Sequence, residues 1–530
     1  MSLIGKFATT GSATLVSRLL GFVRETMIAA ALGAGPMADA FYAAFRFPNL
    51  FRRLFAEGAF NAAFVPLFAR AIEENGPDGA RRFSQEVFAV LFTILLALTI
   101  LMQISMPFLV ATIIAPGFVG DPEKFDVTVR LAVVMFPYLM CMSLTAMMSG
   151  ILNSLHLYFV AAFAPVVLNV VLVTILGIAL AGGFSPLVTV ENLSYGVLAS
   201  GILQLMFVTM AARRAGMPIR FQKPHMTPGV KRLLILALPA ALTGGITQIN
   251  LVIGQMIAST KAGAISVLQY ADRVYQLPLG VVGIAIGVVL LPELSRALRG
   301  GHREAAGNLQ NRSLEFGLFL TLPAGAALFV MSEEIVRVLY ERGAFTQQTT
   351  ASVSAALSIF GLGLPAFVMI KVFIPGFFAR EDTRTPMMFA GVSVAINVTL
   401  ALTLFPILFE AGIATAEAVA GWTNATLLFT TLYRRGLWER DAGLMRRIPR
   451  LLLATVLMAI FLTAALGYGE PYLASGEPLA VKAACLAVII VLGASVYFLA
   501  AFGLGGADWG LVRRALKRRS EARGPADAQE

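Results

Sequence analysis

The sequence predicts an all-α polytopic membrane protein, with two pseudo-symmetric six-helix lobes and two further helices towards the C-terminal end. Three observations support this class. Of 530 residues, 58% are apolar and only 13% are charged, and long apolar runs alternate with short charged clusters. A soluble domain carries about 25% charged residues, whereas a helix that crosses a bilayer needs about 20 mostly apolar ones. The composition therefore excludes an ordinary soluble protein.

Fourteen apolar runs are bounded by polar breaks, and each predicts one transmembrane helix. The predicted spans are 8–33, 38–60, 84–112, 129–152, 159–182, 193–212, 232–257, 264–294, 313–331, 351–374, 386–408, 412–433, 450–468 and 479–504. Arg18 and Arg24 interrupt the first run and no convincing cleavage site follows, so we expect a retained helix rather than a signal peptide. Cys141 and Cys485 lie far apart in apolar sequence, which favours neither a disulfide nor a metal site.

The net charge of +11 comes from cations in alternate connections, as the positive-inside rule requires of cytoplasmic loops. The cationic connections are 70–82, 213–232, 296–312, 434–450 and the tail from 513 to 523. The intervening connections are poorer in cations and richer in acids. This pattern places both termini in the cytoplasm, and it explains the basic balance without nucleic-acid binding.

The two halves of the chain align at an offset near 228 residues. The matched positions are Pro137 with Pro365, Asn169 with Asn397, Phe118 with Phe345, and Pro66–Arg70 with Pro292–Arg296. An even number of helices per copy gives both copies the same orientation, so the lobes should be related by an axis along the membrane normal. We expect an N-lobe at 1–220, a C-lobe at 221–445, an appended helix pair at 446–506 and a basic cytoplasmic tail at 507–530.

Charged side chains inside the spans are the functional clue, because each costs at least ~2.5 kcal/mol at mid-bilayer. Most lie in the first two helices, as Arg18, Arg24, Glu25, Asp39, Arg46, Arg52, Arg53 and Glu57. Ser17 and Arg24 nearly share a helix face, with Arg18 beside it. The sum over Arg18, Arg24, Arg52, Asp39 and Glu57 is one positive charge, and Arg273 adds another. The pattern predicts an anionic ligand.

Arginine suits a phosphate ligand because its donors bind two oxygens at once and its charge survives desolvation. A diphosphate therefore fits better than a carboxylate. Two alternatives stay open: Arg18 and Arg24 could extend to the membrane interface, or they could pair with Glu25 and Asp39. For Arg46 and Arg53 we favour a position towards the lipid headgroups.

The second half carries fewer charges inside its spans. Asp272 and Arg273 interrupt an apolar helix, and a structural ion pair between lobes is the alternative to a binding role. Asn169 and Asn397 are expected to form hydrogen bonds between helices. The three histidines, at 156, 225 and 302, lack the acid or metal spacing of a catalytic site. We therefore expect no enzyme, no metal and no cofactor, with coupling to the membrane potential or to a monovalent cation both open.

Three segments carry a family resemblance. Pro48–Pro66, preceded by Ser17–Arg24 and followed by Tyr270–Arg273, closely resembles the MurJ (MviN) lipid II flippases, and the similarity extends over nearly the whole chain. It implies the fold of the multidrug/oligosaccharidyl-lipid/polysaccharide exporter superfamily, with an alternating-access cavity between two lobes. It also implies transport of lipid II to the periplasmic leaflet of the bacterial inner membrane, for peptidoglycan synthesis, cell wall biogenesis and cell shape.

The resemblance assigns roles to the charged residues. Arg18, Arg24, Asp39, Arg52 and Arg273 match the essential cavity residues of the family. We expect substrate contacts from Ser17, Arg18, Arg24, Arg52 and Arg273, and gating or structural charge pairing from Asp39, Glu57 and Asp272. The pair at 446–506 is the candidate groove for the lipid tail, and we expect a monomer. The alternatives are an exporter of other lipid-linked oligosaccharides or of drugs, and a non-transporting scaffold for cell-wall enzymes.

Overall fold

The computed structural model describes residues 3–52, 60–439 and 441–507, with the backbone alone described at 3–11, 51–52, 62, 238–247, 284–285 and 288–289. Within these ranges the chain forms α-helices and no β-strand. In chain order the helices are α1 (Leu3–Leu32), α2 (Pro36–Arg52), α3 (Phe60–Ile104), α4 (Met106–Leu109), α5 (Pro122–Met135), α6 (Pro137–Ser154), α7 (Tyr158–Ala181), α8 (Pro186–Arg214), α9 (Pro228–Ala258), α10 (Ala264–Arg299), α11 (Arg303–Val330), α12 (Ser332–Tyr340), α13 (Gln347–Phe378), α14 (Arg384–Leu408), α15 (Glu410–Arg434), α16 (Ala442–Leu473) and α17 (Leu479–Gly503).

Nine helical segments in the described part of the chain, one of them made of α5 and α6 together, are long and apolar enough to cross a membrane. They run over Ala63–Ile104, Pro122–Ser154, Tyr158–Ala181, Pro186–Arg214, Arg303–Val330, Gln347–Phe378, Arg384–Leu408, Ala442–Leu473 and Leu479–Gly503. Several ends lie within one residue of the prediction, as in α7 and α17. The all-α polytopic class is thereby confirmed, while the count of fourteen spans stays a prediction.

Two of the differences from the predicted spans have a local cause in the sequence. The connection between the second and third spans is short, because α3 is interrupted only at Gly76, whose φ of 67° and ψ of −173° are not helical, and a second helical segment runs from there to Ile104. Glycine adopts this left-handed conformation without steric cost, and Pro77 starts the next helical turn. The predicted span 129–152 consists of two helices. Pro137 begins α6, and it has no N–H with which to continue the hydrogen bonds of α5.

The chain forms two compact units. The first contains Met1–Tyr270, Tyr340–Thr349 and Phe405–Glu410, and the second contains the intervening segments and the C-terminal part. This division follows packing, whereas the predicted lobes follow the sequence repeat. Helix α9 belongs to the second repeat by sequence and to the first unit by packing. The lobe boundaries inferred from the repeat therefore stay a prediction.

A stack of phenylalanines on α3 forms the centre of a core in the first unit. Phe64 and Phe68 are fully buried, with ring centroids 5.7 Å apart. Gly150 of α6 leaves room for this stack, since a Cβ there would lie 3.2 Å from the Phe64 ring. The Thr227 hydroxyl, which caps α9, donates to Glu86 of α3 over 2.9 Å. The start of the second repeat is thus fixed to α3.

The second unit is held together by a close approach of α11 and α13. A Cβ on Gly325 would lie 2.5 Å from the Gly361 carbonyl oxygen, and a Cβ on Gly361 would lie 2.8 Å from the Gly325 carbonyl oxygen. Helix backbones come this close only where small residues face each other. The appended helices α16 and α17 pack on each other, and the Tyr497 hydroxyl of α17 donates to the Phe319 carbonyl oxygen of α11 over 2.7 Å.

Candidate functional site

The predicted cationic face of α1 lies in the first unit. The Arg18 side chain is exposed and has no hydrogen-bond or ion-pair partner among the described residues. Ser17 is half-buried and is tied to α7, because its carbonyl oxygen accepts a 3.0 Å hydrogen bond from Nδ2 of Asn169. Arg18 is therefore a cation that an anionic ligand can reach.

Arg24 is paired rather than free. One guanidinium nitrogen lies 2.8 Å from Oε1 of Glu25, whose side chain is only 2% exposed. A second donates to Oδ1 of Asn169 over 3.0 Å, and the Tyr42 hydroxyl donates to the other oxygen of Glu25 over 2.6 Å. Of the alternatives left open by the sequence, pairing of Arg24 with Glu25 is the one observed. Pairing with Asp39 is not, since another cation occupies that carboxylate.

Replacing Asn169 with alanine is expected to lower the free energy of unfolding by about 1–3 kcal/mol, because partners of Arg24 and of the Ser17 carbonyl are lost in a buried place. The measurement is the thermal midpoint of the purified protein in detergent. The control is Asn153→Ala on α6, a half-buried position whose side chain has no hydrogen-bond partner among the described residues. Equal loss of midpoint in both variants would contradict the role given to Asn169.

Asp39 is completely buried, at 0% exposure, in the first turn of α2. Its carboxylate accepts a 2.8 Å hydrogen bond from Nζ of Lys124. Lys124 is itself only 4% exposed, and its ammonium group lies 3.9 Å from the centroid of the Phe118 ring. Two opposite charges buried in this way are stable only as a pair, because either one alone would remain uncompensated.

The same carboxylate caps α10. It accepts hydrogen bonds from the backbone N–H of Gly263 over 2.7 Å and of Ser266 over 3.0 Å, and from the Ser266 hydroxyl over 2.8 Å. The first N–H groups of a helix have no partner within it, and a carboxylate there also interacts favourably with the helix dipole. Asp39 therefore fastens the start of α10, in the second repeat, to α2, in the first.

Glycines bring further segments of the two repeats into contact. The Ala344 N–H donates to the Ala30 carbonyl oxygen over 2.8 Å. Gly33 and Gly343 both have φ of 59°, and a Cβ on either would lie 2.3 Å from a carbonyl oxygen of the opposite segment. The Tyr270 hydroxyl donates to the Gly33 carbonyl oxygen over 2.7 Å. No side chain other than hydrogen fits at these two positions.

A related contact joins the opposite pair of segments. The Gly117 N–H donates to Oγ of Ser259 over 2.9 Å, and a Cβ on Gly117 would lie 2.4 Å from the Ser259 carbonyl oxygen. Because Phe118 matches Phe345 in the repeat, the contact of 117 with 259 is the counterpart of that of 344 with 30. We call residues 30–39, 117–124, 259–270 and 340–345 the junction. The four segments of the junction contact one another in a pseudo-symmetric arrangement, with Asp39 at its centre.

The remaining predicted site residues lie elsewhere. In the second unit, Asp272 accepts a hydrogen bond from Gln276 one helical turn along α10. Arg273 is half-buried, and its Nε is buried without a hydrogen-bond partner. The side chain of Arg52 and the whole of Glu57 lie outside the described residues. Within the described ranges, no group of three or more His, Cys, Asp or Glu side chains could hold a metal ion.

Two residues that contact Asp39 were not predicted from the sequence. Lys124 lies among Asp121, Glu123 and Asp126, a composition typical of a solvated loop, so nothing local indicates burial. Ser266 has no distinguishing pattern at all. Lys124 carries the one available signal, since it is a cation in a connection that the charge pattern otherwise predicts to be acidic.

The fold and the charged residues together define a class of protein. A helical chain of this kind, with buried ion pairs and an exposed arginine within a helix, has the features of a membrane transporter. A solved structure of a MATE family multidrug resistance transporter of the MOP superfamily, in an inward-facing conformation, shares the fold with a TM-score of 0.64 and 14% identity, over 81% of this chain and 98% of that chain.

More specific similarity identifies the family. The family model of the lipid II flippase MurJ matches residues 28–483. A probable lipid II flippase MurJ of Rhizobium meliloti is 62% identical over 100% of this chain and 99% of its own length, and the lipid II flippase MurJ of Burkholderia cenocepacia is 35% identical over 94% and 96%. A solved MurJ structure in an inward closed conformation has a TM-score of 0.76 and 25% identity, over 93% of this chain and 97% of that chain.

The chain therefore belongs to the MurJ lipid II flippase family. The predicted family, the flippase function and the assignment as a transporter rather than an enzyme are confirmed by these similarities.

Proposed function

We propose that this protein carries lipid II from the cytoplasmic to the periplasmic leaflet of the inner membrane by alternating access. The observation that supports this best is a sealed junction at the end of α1, with exposed Arg18 further back on the same helix. Fourteen residues separate Arg18 from Leu32, which is about 21 Å along a helix. With both termini in the cytoplasm, the junction is the closed periplasmic gate and Arg18 faces the cytoplasmic side.

The proposed ligand contacts are the arginines and one hydroxyl. Arg18, Arg24 and Arg52 clamp the diphosphate of lipid II, Arg273 contributes from the second lobe, and Ser17 adds a hydroxyl. Arg24 must exchange Glu25 for a phosphate oxygen. Glu25 thereby compensates a partly buried guanidinium while the site is empty, which avoids the cost of an unpaired charge, and phosphate offers the same bidentate geometry when lipid arrives.

The acidic residues have a different proposed role. Asp39 holds the gate closed through α10 and Lys124, so opening must break or exchange its hydrogen bonds. Glu57 and Asp272 act as charge partners that keep arginines in place. These carboxylates would repel a diphosphate. They therefore act when the site is empty or the gate is closed, and they do not contact the ligand.

The polyprenyl tail follows a different path from the head group. A long hydrocarbon chain gains nothing by entering a watered cavity, so it stays on the lipid side while the head group crosses. We assign this path to α16 and α17, whose exposed side chains include Ile460, Val491 and Leu499. The proposal treats the protein as a monomer, with lipid II and the bilayer as its partners.

The proposal requires no bound cofactor. A net positive site that moves between the two faces senses the membrane potential, worth about 2.3 kcal/mol per charge per 100 mV. A monovalent cation site in the second lobe is the other candidate source of energy. The two are separated by abolishing either the potential or the cation gradient during a transport measurement.

Charge reversal of Arg18 tests the proposed function. Arg18→Glu should stop growth when the native protein is depleted, and lipid II should accumulate in the cytoplasmic leaflet, because the clamp loses a donor and gains a repelling charge. The measurement is the fraction of lipid II accessible to an external lipid II-degrading enzyme. Arg214→Glu, at an exposed cytoplasmic position, is the control. Normal external lipid II in the Arg18 variant, or accumulation of another lipid-linked intermediate, would refute the proposal.

A further inference from the structure

A second ion pair joins a lysine of the junction to a buried carboxylate outside it. Nζ of Lys261, in the turn between α9 and α10, lies 2.9 Å from Oε2 of Glu410, whose side chain is 7% exposed. The ammonium group also lies 3.9 Å from the centroid of the Phe409 ring. Phe409 has a positive φ of 52°, a conformation that a bulky residue adopts only when its surroundings hold it there.

The pair is built into the folded chain rather than formed by chance on the surface. Glu410 is the first residue of α15, where a negative charge interacts favourably with the helix dipole. Because the carboxylate is almost excluded from water, loss of Lys261 would leave it uncompensated. The turn between α14 and α15 therefore offers a fixed anchor for a lysine of another turn.

The position of Lys261 in the chain connects this ion pair to the contacts of the junction. Two residues before it, Ser259 accepts the hydrogen bond from Gly117. Two residues after it, Gly263 donates to Asp39. Both contacts form only when the turn 259–263 is correctly placed against residues of the first repeat. Lys261 lies at the centre of that turn. Its tether to Glu410 restricts the freedom of the turn and so lowers the entropy lost when the junction forms.

We propose that Glu410 is a positioning residue for the gate, which acts through Lys261 to hold the turn 259–263 ready for Asp39 and Gly117. Phe409 completes the anchor by covering the ammonium group. The assignment of the junction as a gate rests on the proposed function, but the coupling of Glu410 to the closed junction does not. Neutralising Glu410 shifts the equilibrium towards an open junction without removing any of the junction's own contacts.

The test measures opening of the junction directly. Cys141 and Cys485 are first replaced by alanine, and Ala264→Cys then places a thiol at a fully buried junction position. In the full-length purified protein, Glu410→Gln should increase the rate of thiol modification by a soluble maleimide by about tenfold, which corresponds to about 1.4 kcal/mol. Lys261→Met should have a similar effect, and the exchange Lys261→Glu with Glu410→Lys should reverse part of it, since the ion pair returns but a lysine at the start of α15 opposes the helix dipole.

The control removes an ion pair that is exposed to water and lies outside the junction. Arg296 and Glu293 form an exposed ion pair, and Glu293→Gln should leave the thiol rate unchanged. Unchanged rates in both Glu410→Gln and Lys261→Met, at an unaltered thermal midpoint, would overturn the proposal. A lowered midpoint with an unchanged thiol rate in the single variants would overturn it as well, since it indicates a merely structural pair. The thiol rate is independent of which lipid is transported, so it fails separately from the flippase assignment.

Discussion

Replacing Asp39 with alanine is expected to abolish lipid II transport. Lys124 would be left buried without a counter-charge, at a cost of about 3–5 kcal/mol, and the N-terminal N–H groups of α10 would lose a cap worth about 1 kcal/mol. All of these losses fall on the closed junction, because each interaction joins residues that belong to it. The closed state should therefore be depopulated, and alternation between the two access states should fail.

Asparagine at the same position separates gating from folding. Asp39→Asn keeps the shape and one carbonyl oxygen, but its NH₂ group must face a donor, either Lys124 or the N–H groups at the start of α10. We expect transport to be lost while the thermal midpoint falls by less than in the alanine variant. Growth complementation and the midpoint are the two measurements.

A double variant provides the control for buried charge. Adding Lys124→Met to Asp39→Asn removes the unpaired ammonium, so the midpoint should recover. Transport should not recover, because α10 still lacks its carboxylate. Normal growth of cells that depend on Asp39→Ala alone would show that the junction is not needed for function.

Replacing Gly343 with alanine is expected to have an effect of similar size. The new Cβ would lie 2.3 Å from the Ala30 carbonyl oxygen, and neither backbone can yield without separating the two segments. The left-handed φ of 59° adds about 1–2 kcal/mol for a residue with a side chain. The junction should stay open, with lipid II retained in the cytoplasmic leaflet.

Gly183 is the matched control for this substitution. Its φ is 61°, yet a Cβ there would meet nothing within 4 Å. Gly183→Ala therefore has the same backbone cost without the steric clash, and it should lower the thermal midpoint slightly while transport continues. If Gly343→Ala and Gly183→Ala behave alike in a transport assay, the loss is one of stability and the close approach has no part in function.

Much of the helical framework could be predicted because its cause is local. A run of apolar residues forms a bilayer-length helix whatever its neighbours are, so α7 and α17 begin and end within a residue of the predicted positions. The exceptions arise from single residues. Gly76 separates the two helical segments of α3, and Pro137 divides one apolar run into two helices.

The candidate site was predicted only in part. The sequence singles out Arg18, Arg24 and Asp39 as costly charges in apolar helices, which is a property of composition and needs no contact information. It does not identify their partners. Asp39 and Lys124 are 85 residues apart in the chain, and no local pattern distinguishes a buried lysine from a solvated one.

Sequence alone thus determined the membrane class, the main helices and the family, because each depends on periodicity, composition or motif. Only the tertiary structure decided which charges are paired. It leaves Arg18 exposed, pairs Arg24 with Glu25, and buries Asp39 between Lys124 and the start of α10, where 224 residues of chain separate the carboxylate from the N–H of Gly263. The free energy of a charge depends on its burial and on the distance to its partner, and both are set by how distant segments pack.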